Sequence, residues 1–297
     1  MRRDTMTKRD GRFLTRRQSL QWLPALVGVT ALVARGTRLR GDDEPDLKEK
    51  QASRLALMRK IAMAITLTER PGEPAQRVIA VRPEPVLRYN DPPRHMLDAS
   101  MWAWGEPGRP AAVLKVELHP DHPPARRWVL GLVSLSPNRI EVRYHDGQTW
   151  TSSKPGLDLR AIPDAPTPGG TETLRMAQMK TLARRFTASE NPGPARGRLE
   201  LRLMPRPFDR YTNAVVGLRD GVLFGFATGT NPDIFLVIEA WALEGAAPRF
   251  HYALARNGGG NFSVKLDGDE IWTQGLANPP VQLETYMNRR IAEGTEP

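Results

Sequence analysis

The chain is 297 residues long, 40% hydrophobic and 26% charged, enough for about two domains with real cores and outside the range of fibrous or disordered chains. Its formal charge of +10 points toward nucleic acid until it is mapped. Of 43 Lys/Arg and 33 Asp/Glu, ten and two lie in residues 1–40, so 33 face 31 in the remainder and no nucleic-acid partner is expected.

In chain order, residues 1–36 have the parts of an export signal: a basic start, an apolar run over residues 20–34, and small residues at Ala34 and Gly36. Fifteen apolar residues are short for a membrane span. Thr15-Arg16-Arg17-Gln18-Ser19-Leu20 resembles the twin-arginine signal, with Ser19 where that pattern usually has Phe. Export to the periplasm or cell surface is expected, with membrane contact only through this signal if it stays uncleaved. The absence of cysteine excludes disulfides, thiolate metal sites, a thiol nucleophile and an acylated Cys.

After an acidic spacer (37–46), residues 55–62 suggest a helix whose stripe continues through Met58, Ile61, Ala62 and Ile65. Past Pro71-Gly72 the period shortens, predicting strands over 77–82, 100–104, 111–118, 127–135 and 139–144, with a further short strand carrying Trp150 after the turn at Asp146-Gly147. The pattern then recurs. An offset of 122 lays residues 83–89 on 205–211, Asp98 on Asp220, Trp102 on Phe224, Trp104 on Phe226, Glu117 on Glu239 and Trp150 on Trp272. At an offset of 121, the helix residues Met58, Ile61 and Ala62 fall on Met179, Leu182 and Ala183. Second-copy strands are expected over 198–203, 222–226, 234–243, 249–255 and 262–266.

The reading is therefore α+β: two tandem repeats, each an N-terminal helix followed by an antiparallel sheet of about five to six strands. Module 1 spans 47–152, a Pro/Gly linker 153–171, module 2 172–275, and a tail 276–297 with a short helix formed by Leu283, Tyr286, Met287 and Ile291.

A helix followed by an antiparallel sheet in an exported protein resembles the bacterial lipoprotein-carrier fold, in which a helix plugs a curved half-barrel. Two copies per chain depart from that fold. Met204-Pro205-Arg206-Pro207-Phe208 and the segment 226–239 are similar to an uncharacterised family of exported bacterial proteins, a resemblance that brings no activity.

The sequence contains no nucleophile elbow, Walker loop or His-Glu-x-x-His. Gly258-Gly259-Gly260-Asn261 lies between strands and reads as a hairpin loop. His119, Asp121 and His122 bring two imidazoles and a carboxylate into one Pro-rich loop, as a borderline metal accepts, but the second copy has no counterpart. Glu117 and Glu239 interrupt apolar strands; facing each other across a cleft they would suit paired-carboxylate hydrolysis. Cross-strand pairing with Arg88 and Arg210 on a solvated face is the simpler reading, with Tyr89 and Tyr211 packing beside them. No cofactor is expected. A non-catalytic binding or interaction protein of unknown ligand and partner is the leading reading; an exported hydrolase using Glu117 or Glu239, or a carrier of a lipid or other apolar ligand, are the alternatives.

Overall fold

A computed structural model of the chain describes residues 43–72, 75–120, 126–193, 197–277, 281–292, 294 and 297; the export signal and most of the spacer lie outside them. The first helix, α1 (Asp43–Met63), is followed by strands β1 (Thr66–Gly72), β2 (Ala75–Ile79), β3 (Leu87–Asp91), β4 (Met96–Trp104), β5 (Ala112–Pro120), β6 (Arg126–Ser134), β7 (Arg139–Arg143), β8 (Thr149–Thr151) and β9 (Arg160–Ala161). After α2 (Glu172–Ala183) come β10 (Phe186–Glu190), β11 (Leu199–Leu203), β12 (Asp209–Asn213), β13 (Leu218–Ala227), β14 (Ile234–Trp241), β15 (Arg249–Arg256), β16 (Phe262–Leu266), β17 (Asp269–Gln274), β18 (Val281–Gln282) and β19 (Tyr286–Ala292).

These strands form three antiparallel sheets. One runs β2-β1-β7-β8, a second runs β18-β19-β6-β5-β4-β3, and the third has nine strands, β17-β16-β10-β11-β13-β14-β15-β9 with β12 beside β13. The sheets curl, one of them into a half-barrel.

The expected α+β pair of helix-plus-sheet repeats is overturned. The fold is mostly β, with 49% of the described residues in strands against 15% in helices, and the only two α-helices among those residues are minor partners of large sheets. Strands β1–β8 divide between two sheets, whereas β10–β17 run through one, with β9 added at its edge and β18 and β19 joining the six-stranded sheet. The tail does not form the short helix expected over 281–291 but supplies β18 and β19, the latter lying along β6 from Tyr286↔Val133 to Ala292↔Arg127. The linker carries β9, paired with β15 at His251↔Ala161 and Tyr252↔Arg160.

The physical reason lies in the strands themselves. On β5, Leu114, Val116 and Leu118 face the α1 side, where Met58, Ile61, Trp102 and Trp128 pack, while Val113 faces the other way. On β14, Leu236 and Ile238 face Met179, Leu182 and Phe224 beneath α2, while Phe235 and Val237 face away. Strands apolar on both faces need cover on both. One helix covers one face, so the six- and nine-stranded sheets stack on each other, burying Met101, Val113, Val133, Leu223, Phe235, Val237 and Ala253 in a third core.

Arginines tie the helices to the sheets. Arg88 bonds Asp98 (2.8 and 3.2 Å) and the Gln51 carbonyl of α1 (2.6 Å). Arg210 bonds Asp220 (2.7 and 2.9 Å) and the Glu172 carbonyl of α2 (3.0 Å), and Arg175 from α2 also reaches Asp220 at 3.0 Å. Thr171 caps α2 by accepting from the Leu174 N–H at 3.2 Å.

Candidate functional site

Side chains alternate along a strand, so Glu117 on β5 shares the face of Val113, and Glu239 on β14 that of Phe235 and Val237. Both acids therefore enter the layer between the stacked sheets, 6% and 0% exposed, and not a solvated face. Arg88 and Arg210 do not pair with them, being held by Asp98 and Asp220.

Glu239 accepts from Arg109 Nη1 at 3.0 Å through each oxygen, from Tyr211 Oη at 2.9 Å and from Trp241 Nε1 at 2.9 Å. Arg109 comes from the loop joining β4 and β5, on the opposing sheet, and its Nε is fixed by the Leu135 carbonyl at 3.1 Å. Glu117 accepts from Tyr89 Oη at 3.1 Å, lies 3.3 Å from Lys115 Nζ, and is 3.3 Å from His119 Nε2. Here the opposing sheet supplies Asn231, whose Oδ1 accepts from Lys115 at 3.0 Å and from Tyr89 at 3.3 Å. Burial works against ionisation of Glu117, but the Lys115 charge and the His119 and Tyr89 contacts outweigh it and lower its pKa to about 2. Burial and the neighbouring Glu117 and Glu239 charges push the Tyr89 and Tyr211 hydroxyls well above their ordinary range, so both stay donors.

Among the described residues no side chain bonds both acids, and each carboxylate has its own set of partners. Of the loop proposed for metal, His119 is engaged with Glu117, while Asp121 and His122 lie outside the described residues. Among the described residues no three His, Cys, Asp or Glu side chains group so as to hold a metal ion.

Two cavities flank these clusters. The larger, about 720 Å³, opens where β2 and residues 81–83, the loop 105–111 and the turn 135–138 meet the tip of the other sheet at Asn213, Val216, Leu218 and Trp241. Its size falls within the usual range of small-molecule sites, about 300–1,000 Å³. Val78 and Val216 at its margin are 71% and 51% exposed, and Ile79, Val81, Leu135 and several prolines add apolar wall. Arg82 and Arg109 line it too, Arg82 bonding Asp209 at 2.8 Å and the Gly105 carbonyl at 3.1 Å. Glu69, buried in the same wall, accepts from Ser136 and from Arg77 (2.5 Å); burial opposes its ionisation, yet these bonds hold its pKa below the ordinary value. The smaller cavity, about 390 Å³, is polar, lined among others by Lys115, Glu117, Asn231, Glu190 and the Arg94–Asp233 pair (2.8 Å).

Sequence reasoning singled out Glu117, Glu239, Tyr89 and Tyr211 but not Arg109, Asn231, Lys115 and Arg82, which the fold brings beside them or into the cleft. Arg109 and Asn231 sit in loops, where no periodicity marks a side chain that crosses to another sheet. The one available signal was that both stand immediately before a proline, Pro110 and Pro232, at the 122-residue step.

The chain matches no protein-family model, no curated protein and no solved structure.

Proposed function

We propose that this is an exported, non-catalytic binding protein whose ligand occupies the 720 Å³ cleft at the seam of the two stacked sheets. The cleft itself carries the reading: it is open, partly apolar, and framed by rigid strands and a loop held across the seam by Arg109. The acids weigh against hydrolysis. A general acid or nucleophile needs a lone pair or proton directed at substrate, and Glu117 and Glu239 are each committed to three protein partners inside the interface. A carrier with its ligand between helix and sheet is disfavoured by packing, since Met58, Ile61 and Ala62 under α1 and Met179, Leu182 and Ala183 under α2 fill that space.

The test is a fluorescence titration of the full chain with the neutral apolar probe N-phenyl-1-naphthylamine. Saturable binding is expected, and Ala80→Trp, which places an indole in the cleft wall, is expected to abolish it. Failure to bind the probe, or equal binding after Ala80→Trp, overturns the reading. Export rests on the leader sequence.

A further inference from the structure

The cleft's two inner arginines have more hydrogen-bonding capacity than the protein uses. A guanidinium offers five N–H donors in a planar fork. Arg82 spends Nε on the Gly105 carbonyl and Nη1 on Asp209, and Arg109 spends Nε on the Leu135 carbonyl and Nη1 on Glu239. Among the described residues, nothing accepts from Nη2 of either side chain, and neither Nη2 is sealed from solvent. Both side chains are nevertheless largely enclosed, at 12% and 11% exposure, so their outlet is the cleft they line. Around them the wall is apolar, from Ile79 and Val81 to Pro110 and Leu135.

Resting on the cleft as the binding site, we infer that its ligand is a small anionic amphiphile, with a carboxylate or phosphate head received by the free Nη2 edges of Arg82 and Arg109 and an apolar body lying against the β2 wall. Fixed donors in a partly dehydrated site favour an oxyanion, because charge-assisted bonds there are shorter and stronger than neutral ones. The acids do not cancel this preference. Both oxygens of Glu69 are taken by Ser136 and Arg77, and Glu106 stands at the exposed rim beside Arg82 Nε.

The experiment displaces N-phenyl-1-naphthylamine from the full chain with decanoate, decyl phosphate and decyltrimethylammonium, each below its micellar concentration. Decanoate, decyl phosphate or both are expected to compete at least tenfold better than the cation, and the stronger of the two identifies the head. Arg82→Gln is expected to weaken the anions by roughly tenfold to a hundredfold, the effect of one charged hydrogen bond. Because Arg82 and Arg109 also neutralise Asp209 and Glu239, the pairs Arg82→Gln/Asp209→Asn and Arg109→Gln/Glu239→Gln repeat the test without a stranded carboxylate, their folding judged by circular dichroism. Loss of anion preference with the neutral probe still bound supports the inference. Equal competition by anion and cation in the unaltered chain, or anion affinity unchanged in both double variants, overturns it while leaving the cleft as the binding site. If the neutral probe does not bind the unaltered chain, both readings fall.

Discussion

Arg109→Ala removes the guanidinium that donates to both oxygens of a carboxylate with 0% exposure. Breaking a buried ion pair from one side leaves the other charge uncompensated and costs about 3–5 kcal/mol. Tyr211 and Trp241 still donate to Glu239, which places the expected cost near the lower end, about 3 kcal/mol. For a body of this size each kcal/mol moves the melting temperature by roughly 2–4 °C, so a fall of about 6–12 °C is expected. Glu239→Gln alone should cost less, since the Arg109 charge it strands lines the open cleft whereas Glu239 is wholly buried. A double-mutant cycle with Arg109→Met, Glu239→Gln and the combination, followed by urea denaturation, isolates the coupling, which should be about 2 kcal/mol or more. A coupling below about 0.5 kcal/mol would refute the argument, because it would mean that the seam admits water and that the pair behaves as an exposed one.

Two further outcomes follow from the same geometry, and a third from the leader sequence. Glu117, with a folded pKa of about 2 against 4.5 unperturbed, contributes stability that is fully present above pH 4.5 and drains away as pH falls toward 2. The loss is on the order of 3 kcal/mol, and urea midpoints for Glu117→Gln should show a flatter slope across that window. Trp102→Ala and Phe224→Ala, each emptying a fully buried site, should cost roughly 3–5 kcal/mol; since the sheets share a core, calorimetry should show either change lowering a single transition, and two separated transitions would contradict the stacked arrangement. Arg16→Lys with Arg17→Lys should leave full-length chain inside the cell on fractionation, and undiminished export would exclude the twin-arginine route.

Much of the local structure was written in the sequence. The stripe of Met58, Ile61 and Ala62 and that of Met179, Leu182 and Ala183 appear as buried faces of α1 and α2, and the runs read as strands at 100–104, 111–118, 234–243 and 249–255 lie within or beside β4, β5, β14 and β15. Trp102 and Phe224 were legible as core from period-two spacing alone. β1, in contrast, reads Thr-Leu-Thr-Glu-Arg-Pro-Gly, and its polar alternate positions gave too little contrast to announce a strand.

Tertiary structure decided what local periodicity leaves degenerate. Met287 and Ile291 are four apart, and that step returns to the same face in a helix and in a strand alike; the tail became β19 because β6, far earlier in the chain, offered it an unpaired edge. The glutamates show the same division. A single Glu within an apolar strand reveals that one position faces something polar, but whether that is water or a buried cation depends on what covers the sheet. The cover is another sheet, and the groups that meet Glu239 and the Glu117 cluster from across the seam, Arg109 and Asn231, come from loops whose reach is set by how two sheets stack and not by any pattern along the chain.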